Sequence, residues 1–347
     1  MDTRYIIGRH SAIVAFATAL IVLAAGQASA ITIYMSMNSL ARLGGLTNIE
    51  RGDVVAYTSA DPSVVAYDIG TGTWSDSASI FFRGKDHFRK PDGTLGADEN
   101  VFALHIFDDD SLLLTSSTSG RLGTGDPTKH LRDGGSKFDT RDLVRYDPDT
   151  DTPTLFLDGS LVFRTGAGVL GADAVIDATS LLPNGNLLIS TRGNEVVGSN
   201  LLEVRAGDVF EYDIANDTAS LYFDQDLFRT SAGVLGANAD VDAAGYYDDD
   251  ELVLSTNATA RLGSPMLTFR DQDAVLYDMT ADTATLFFHG DNFRRTSGLP
   301  GADEDLKAIH YTVLGTQQDP AIPEPLTMSL SLFSLAGLYL TLHRRRA

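Results

Sequence analysis

One short stretch occurs four times in the chain and limits the folds open to it more than any other feature. Phe-Arg stands at 88/89, 163/164, 228/229 and 293/294, and Gly-Ala follows at 96/97, 171/172, 236/237 and 301/302. Both series step by 75, 65 and 65 residues. A fixed period of this size marks one supersecondary unit copied along the chain, each copy burying its apolar face against its neighbours. The chain is therefore an array of four units, and a single residue has to be weighed as one member of a set of four.

Within each unit the apolar residues recur with the period of short strands, not of helices. Residues 209–213 alternate, as do 143–147, 274–278 and 64–68, and each of these segments ends in Tyr-Asp. A polar turn and a second strand follow, at 154–157, 220–223, 285–288 and 79–82. After the Phe-Arg crossover comes a third strand (100–107, 174–182, 239–247), and beyond a turn rich in Asp, Asn and Gly a fourth (112–115, 187–190, 252–255). Four strands per unit make an antiparallel meander.

The two ends of the array decide how the units assemble. Residues 31–36 match the fourth strand, because Ser36 followed by Arg42-Leu43-Gly44 corresponds to Ser255 followed by Arg261-Leu262-Gly263. Residues 306–314 match the third strand, with Ala308 standing where Ala178 and Ala243 stand. Each end supplies what the other lacks, and joining them removes the free sheet edges. The predicted fold is all-β, a four-bladed β-propeller over residues 31–318 whose terminal strands share one blade. Its innermost strands are predicted at 100–107, 174–182, 239–247 and 306–314. A β-solenoid and a pair of packed sandwiches are the other β architectures with such strands, but neither explains the split terminal unit.

The flanking segments carry addresses. Residues 1–30 combine Arg4 and Arg9, the apolar run from Ser11 to Ala25 and Ala28-Ser29-Ala30, the pattern of a secretory signal peptide. In residues 319–347, Pro323-Glu324-Pro325 precedes a mostly apolar run from Leu326 to Leu342 and then Arg344-Arg345-Arg346. As a transmembrane helix that run is about 26 Å long, the short limit for a bilayer span, and the arginines favour a cytoplasmic end.

This tail resembles the PEP-CTERM sorting signal of Gram-negative bacteria. The resemblance implies recognition by an exosortase-type processing enzyme, transient anchoring in the inner membrane, and delivery to the cell surface or the extracellular exopolysaccharide matrix. An ordinary tail anchor is the alternative, and both readings place the domain outside the cytoplasm. The repeat is also familiar in outline. Asp-hydrophobic-x-x-Tyr-Asp, then Leu221-Tyr222-Phe223-Asp224, then a hairpin such as Leu182-Pro183-Asn184-Gly185-Asn186-Leu187 resembles acidic repeats of exported bacterial proteins, which implies no enzyme class.

Composition narrows the partners. The chain has no cysteine, so an exported domain of this kind is held by its core, without disulfides or thiolate metal sites. A formal charge of −21 argues against nucleic acid and anionic membrane surfaces and suits cations.

The crossovers hold the most regular polar residues. In a propeller they would gather Asp98, Asp173, Asn238 and Asp303 around one mouth of the channel, with Glu99, Asp240, Glu304 and Asp305 nearby. Carboxylates so placed repel unless a cation sits among them, and hard oxygen donors make Ca²⁺ or Mg²⁺ the candidate ion. Against a metal ring stands a spacing: Arg89, Arg164, Arg229 and Arg294 each precede that position by nine residues, so each pair is placed to brace its own loop. Repetition in every unit favours a brace over a ligand set and over catalysis.

His105 and His310 occupy one inner-strand position, where the other units carry Ser180 and Gly245, and are read as polar channel lining. Trp74 lies in an insertion in the first unit's hairpin and is a candidate for ligand contact. The Asp-rich segments 108–110, 147–151 and 248–250 are read as turns, and none has EF-hand spacing. The functional expectation is an exported, surface- or matrix-associated protein with a binding or structural role linked to exopolysaccharide. The alternative is an enzyme acting on polysaccharide or a lactone through Asp177, Asp242, Lys307, His105 and His310.

Overall fold

The computed structural model describes residues 31–313. The expected signal peptide and the sorting tail, with Pro323, Glu324, Pro325 and Arg344 to Arg346, lie outside the described residues. Among the described residues no helix is long and apolar enough to cross a membrane.

The described chain is all-β and builds four sheets of four antiparallel strands. Strands β1 (Ile31–Met37), β2 (Val54–Ser59) and β3 (Ser77–Phe82) open the first sheet. The second runs β4 (Val101–Ile106), β5 (Leu112–Ser116), β6 (Leu143–Asp147), β7 (Thr152–Leu157). The third runs β8 (Ile176–Leu181), β9 (Leu187–Thr191), β10 (Val209–Asp213), β11 (Thr218–Phe223). The fourth runs β12 (Val241–Asp248), β13 (Glu251–Thr256), β14 (Ala274–Asp278), β15 (Thr283–Phe288). The last strand, β16 (Leu306–Val313), returns to the first sheet and pairs with β1 from Ile31 opposite Val313 to Met37 opposite Leu306.

Four hydrophobic cores lie between neighbouring sheets. Val54, Phe82 and Phe88 pack with Leu104, Leu112 and Tyr146 between the first and second sheets. Leu143 and Leu157 meet Ile189 and Phe210 between the second and third. Val209 and Phe223 meet Leu254 and Tyr277 between the third and fourth, and Val253 and Phe288 meet Met35 and Tyr57 between the fourth and first. The strands β4, β8, β12 and β16 pack side by side in that order, and β16 also packs on β4. With neighbours on both faces they alternate little in exposure, and β4 and β8 are buried at every residue.

Each Phe-Arg segment turns back on itself. Arg164 bridges to Leu170 in the antiparallel sense, and the amides of Gly171 and Ala172 both donate to the Phe163 carbonyl. Gly171 holds φ 93°, and Gly96, Gly236 and Gly301 hold φ between 83° and 92°, a region closed to most side chains. This is why the Gly of Gly-Ala recurs. The Phe of each copy (Phe88, Phe163, Phe228, Phe293) is fully buried and anchors the bend in a core.

A second repeated device fixes where the bend starts. Asp53, Asp142, Asp208 and Asp273 stand just before β2, β6, β10 and β14 and are buried. One oxygen of each accepts from the amide three residues upstream, at 2.8 to 3.0 Å. The other accepts from Gly84, Gly159, Gln225 or Gly290, at 2.7 to 3.0 Å, in the single helical turn that follows the outer strand. Each carboxylate thus satisfies two amides that would otherwise be buried unpaired, including one of the free donors of a helix N-terminus.

The first sheet corrects the strand expected at 64–68. Its third strand counted from β16 is Val54–Ser59, while Tyr67-Asp68 pairs with Thr73-Trp74 in a separate small hairpin. The two segments read alike, Val-Val-Ala-Tyr-Thr against Val-Val-Ala-Tyr-Asp. Only the former follows an aspartate, Asp53, able to cap the Gly84 turn, and Val64 stays half exposed.

Candidate functional site

The crossover arginines are ion-paired, with partners other than those the nine-residue spacing suggests. Arg89 reaches Asp151 (2.6 Å), Arg164 reaches Asp217 (2.6 Å), Arg229 reaches Asp282 (2.5 Å) and Arg294 reaches Asp76 (2.6 Å). Each bridge therefore joins the end of one sheet to the outer hairpin of the next. Asp151, Asp217 and Asp282 sit at the hairpin turns with φ of 51° to 52°, and their second oxygens accept from Tyr146, Tyr212 and Tyr277 at 2.8 to 3.0 Å. In three units the Tyr of the Tyr-Asp pair, an αL aspartate and the preceding unit's Arg make one inter-sheet triad, while in the first sheet Arg294 and Asp76 pair without a tyrosine.

The expected metal ring is not assembled. Asp98 pairs with Arg51, the Asp173 side chain is fully exposed beside Arg141 at 3.3 Å, and Asn238 and Asp303 are exposed. Among the described residues, the groups of three or more potential ligands include none of these four. The crossovers splay these side chains outward because the bend holds its Arg and Phe inward.

The carboxylates that do converge come from the innermost strands. Phe102, Asp177, Asp242 and Lys307 hold the second position of β4, β8, β12 and β16. The pairing register shifts at this point in all four strands, so that Asp177 and Asp242 are the extra residues of β-bulges. A bulge re-aims a side chain that strict alternation would turn elsewhere. Asp240 and Asp305 join from the segments just before β12 and β16, and Arg192 from the end of β9.

Charge there is only partly balanced. Lys307 donates to Asp242 at 2.5 Å and lies 2.7 Å from Asp305, whereas Arg192 approaches Asp177 only to 3.8 Å. Arg192 instead stacks on Phe102, 4.7 Å from the ring centre. Burial pushes Asp177 up to about 8, against the pull of Arg192 and with a further push from Asp242. Burial and the Asp242 charge push Asp240 up to about 7, and burial pushes Asp305 up to about 6. Burial works against the Lys307 ammonium, but Asp242 and Asp305 outweigh it and hold its pKa above the ordinary value.

Three positions further along the same strands, the rings of His105 and His310 meet edge to face with centres 4.6 Å apart. Both are buried, and burial holds both well below the usual imidazole range, His105 at about 3. His105 Nδ1 accepts from the Leu181 amide at 3.4 Å, and Ser180 Oγ accepts from the Tyr246 amide at 3.1 Å. At this level the polar residues tie neighbouring inner strands together, as neutral groups.

A cleft of about 400 Å³ opens on the outside of the first sheet, lined by Arg42, Tyr67, Trp74, Arg294 and Arg295 among others. Trp74 packs on Tyr67 (5.0 Å between ring centres) and over the Arg294 guanidinium (4.0 Å), and its indole N–H donates to Gly298 O. The inserted hairpin buries Asp76 completely, while Asp151, Asp217 and Asp282 remain about a third exposed. Arg42 and Arg295 have no carboxylate within 4.0 Å among the described residues.

Two of these features escaped the sequence reading. The buried Asp53, Asp142, Asp208 and Asp273 were visible as the Asp of Asp-hydrophobic-x-x-Tyr, and the αL aspartates as an Asp five residues after each Tyr in three units. Arg42 and Arg294 stand out in the sequence as repeat residues, but no sequence signal gathers them with Arg295 at one cleft, and none marks the bulges.

No protein-family model matches the chain, and no curated protein matches it. Solved structures give distant likenesses. One is the extracellular domain of BT4673 from B. thetaiotaomicron, described as a hybrid two-component system, at 9% identity, with 73% of this chain and 40% of that chain covered and a TM-score of 0.28. Another is the hemopexin fold protein CP4 from cow pea, at 11% identity, with 73% and 89% covered and a TM-score of 0.31. A third is a protein of unknown function from Bacteroides caccae, at 9% identity, with 81% and 98% covered and a TM-score of 0.31. At this distance the likenesses assign neither fold family nor function.

Proposed function

We propose that the chain is an exported four-bladed β-propeller, closed where β1 and β16 share a blade, that binds acidic polysaccharide at the cell surface or in the extracellular matrix. The pairing of the two terminal strands and the four inter-sheet cores support the ring. The signal-peptide pattern and the Pro323-Glu324-Pro325 tail support export, with an exosortase-type enzyme as the processing partner.

The observation that carries the binding reading is the 60–76 insertion. It is the one segment of the first unit without a counterpart in the others, and it sets Trp74 and Tyr67 beside Arg42, Arg294 and Arg295. Aromatic faces pack on the apolar faces of sugar rings, and Arg42 and Arg295, which unlike Arg294 carry no carboxylate partner among the described residues, can receive the carboxylates of a ligand, Arg295 through the NH groups left free by its Nε contact to Gly301 O. In a chain of net charge −21 such a cationic, aromatic cleft is a local exception, and it selects an anionic ligand against the overall repulsion.

The test is retention of the folded protein on an immobilised polyuronate and on an uncharged glucan. Polyuronate binding that weakens with salt and falls at least tenfold in Trp74→Ala and in Arg295→Ala supports the proposal. Equal retention of wild type and both variants, or none on either polymer, overturns it.

A hydrolytic reading has one observation in its favour, the convergence of the Asp177, Asp240 and Asp242 carboxylates at the inner strands, where burial raises the Asp177 carboxyl toward its protonated, donating form. Turnover of polysaccharide or lactone substrates that survives Asp177→Asn and Asp242→Asn unchanged would end it.

A further inference from the structure

We infer that Asp177, Asp240 and Asp242 form a site for one divalent, oxygen-preferring cation, with Ca²⁺ the ion their donors suit best. One carboxylate oxygen from each lies within 4.8 Å of the others. Oxygens bound to one Ca²⁺ at about 2.3–2.6 Å are at most about 5 Å apart, so the three converge on a volume one ion can fill without rearranging the strands.

A cluster of acids is common on an acidic protein, but this one carries a second mark. Asp177 is only 2% exposed, and neither of its carboxylate oxygens accepts a hydrogen bond; Asp240 Oδ1 is likewise buried without a donor. Buried acceptors are normally satisfied, and an orphaned carboxylate costs far more than an orphaned carbonyl. Arg192 Nε, at 3.8 Å, is beyond hydrogen-bond reach, and Phe102 on the facing strand offers no donor.

Charge points the same way. Fully ionised, as they would be when holding a metal, the four carboxylates Asp177, Asp240, Asp242 and Asp305 face two cations, Lys307 and Arg192, which leaves an excess of two negative charges. One divalent ion removes that excess. The donor set contains no thiolate or imidazole, which favours Ca²⁺, then Mg²⁺, over zinc or copper. The bulges that carry Asp177 and Asp242 are what bring the oxygens together, so the site is built into the inner strands and not into mobile side chains at a rim.

The site shares no residue with the Trp74 cleft, and its test uses metal alone, so its failure leaves the polysaccharide proposal standing. The folded protein is stripped with a chelator and titrated with CaCl₂ and separately with MgCl₂ by calorimetry, with Tm followed in parallel. The expected result is one Ca²⁺ per chain, a raised Tm, and at least a tenfold loss of affinity in Asp177→Asn and in Asp240→Asn, while Asp173→Asn binds as wild type. Two variants guard against loss of folding in one of them, and circular dichroism confirms the fold of each. No heat and no Tm change at millimolar Ca²⁺ overturns the inference. So does binding that survives both variants, or binding lost only in Asp173→Asn.

Discussion

Replacing Asp217 by Asn separates the observed inter-sheet triad from the within-loop brace that the sequence spacing suggests. Asn is the suitable substitution because Asp217 holds φ 51°, a conformation that Asn tolerates and Ala does not, so the change removes charge without adding backbone strain. Asp217 receives Arg164 at 2.6 Å and the Tyr212 hydroxyl at 3.0 Å. A hydrogen bond to a charged group contributes about 1.5–3 kcal/mol, but the Asp217 side chain is 36% exposed, and solvent screening brings the expected loss to about 1.5 kcal/mol. For a domain of this size that is a fall in Tm of about 3–6 °C. Asp173→Asn, at a fully exposed side chain, should stay within about 0.5 kcal/mol of wild type. Urea unfolding of both variants, and of Arg164→Met alone and combined with Asp217→Asn, gives the coupling energy directly. A coupling near zero, or an Asp173→Asn cost equal to that of Asp217→Asn, refutes the triad.

Two further outcomes follow from the same structure. Asp208→Ala leaves the buried amide of Gln225 and the half-buried amide of Arg205 without their acceptor, and its urea midpoint should fall by the equivalent of about 2–4 kcal/mol; a surface-like change under about 0.5 kcal/mol would contradict the capping role. With metal chelated, Asp177 and Asp240 keep their protons in the fold up to about 8 and about 7, where the unfolded chain has already lost them. The raised folded pKa means their contribution is full below about pH 4 and is lost as pH rises through 7 and 8, so the urea midpoint should drop over that interval, more in wild type than in Asp177→Asn. A midpoint that climbs from pH 5 to 8 equally in both proteins would show that these carboxylates are not buried.

What the sequence made legible was whatever repeats at close range. The all-β class follows from alternating segments and the absence of helical periodicity, and the pairing partner of Ile31 to Met37 could be read from Ser36 and Ala308, because each copies a residue whose place in a unit is shown elsewhere. The turn aspartates could be read from their own backbone contacts, as Asp147 and Asp213 accept from the amides two residues on. The arginine partners could not. Arg164 and Asp173 are close in sequence, while Arg164 and Asp217 meet only because one sheet packs on the next, and sequence spacing holds no information on that angle. Val64 to Asp68 misled for the opposite reason: local pattern was strong, and the missing Asp cap that disqualifies it is a contact with Gly84, across a turn. The carboxylate cluster was half visible. Asp177, Asp242 and Lys307 share a register in the alignment of units, but the bulge that turns them together leaves no trace in composition.

The proposed ring depends on one contact above all, the sheet shared by the two ends of the described chain. Thr32 lies opposite Thr312 in the β1–β16 ladder, and the chain has no cysteine of its own, so Thr32→Cys with Thr312→Cys gives an unambiguous probe. Mild oxidation of the folded monomer should yield an intramolecular disulfide, seen by mass spectrometry as one peptide pair joining residues 32 and 312, together with a higher urea midpoint. Thiols that remain free in the folded monomer, or that link only between molecules, would contradict the proposed closed ring.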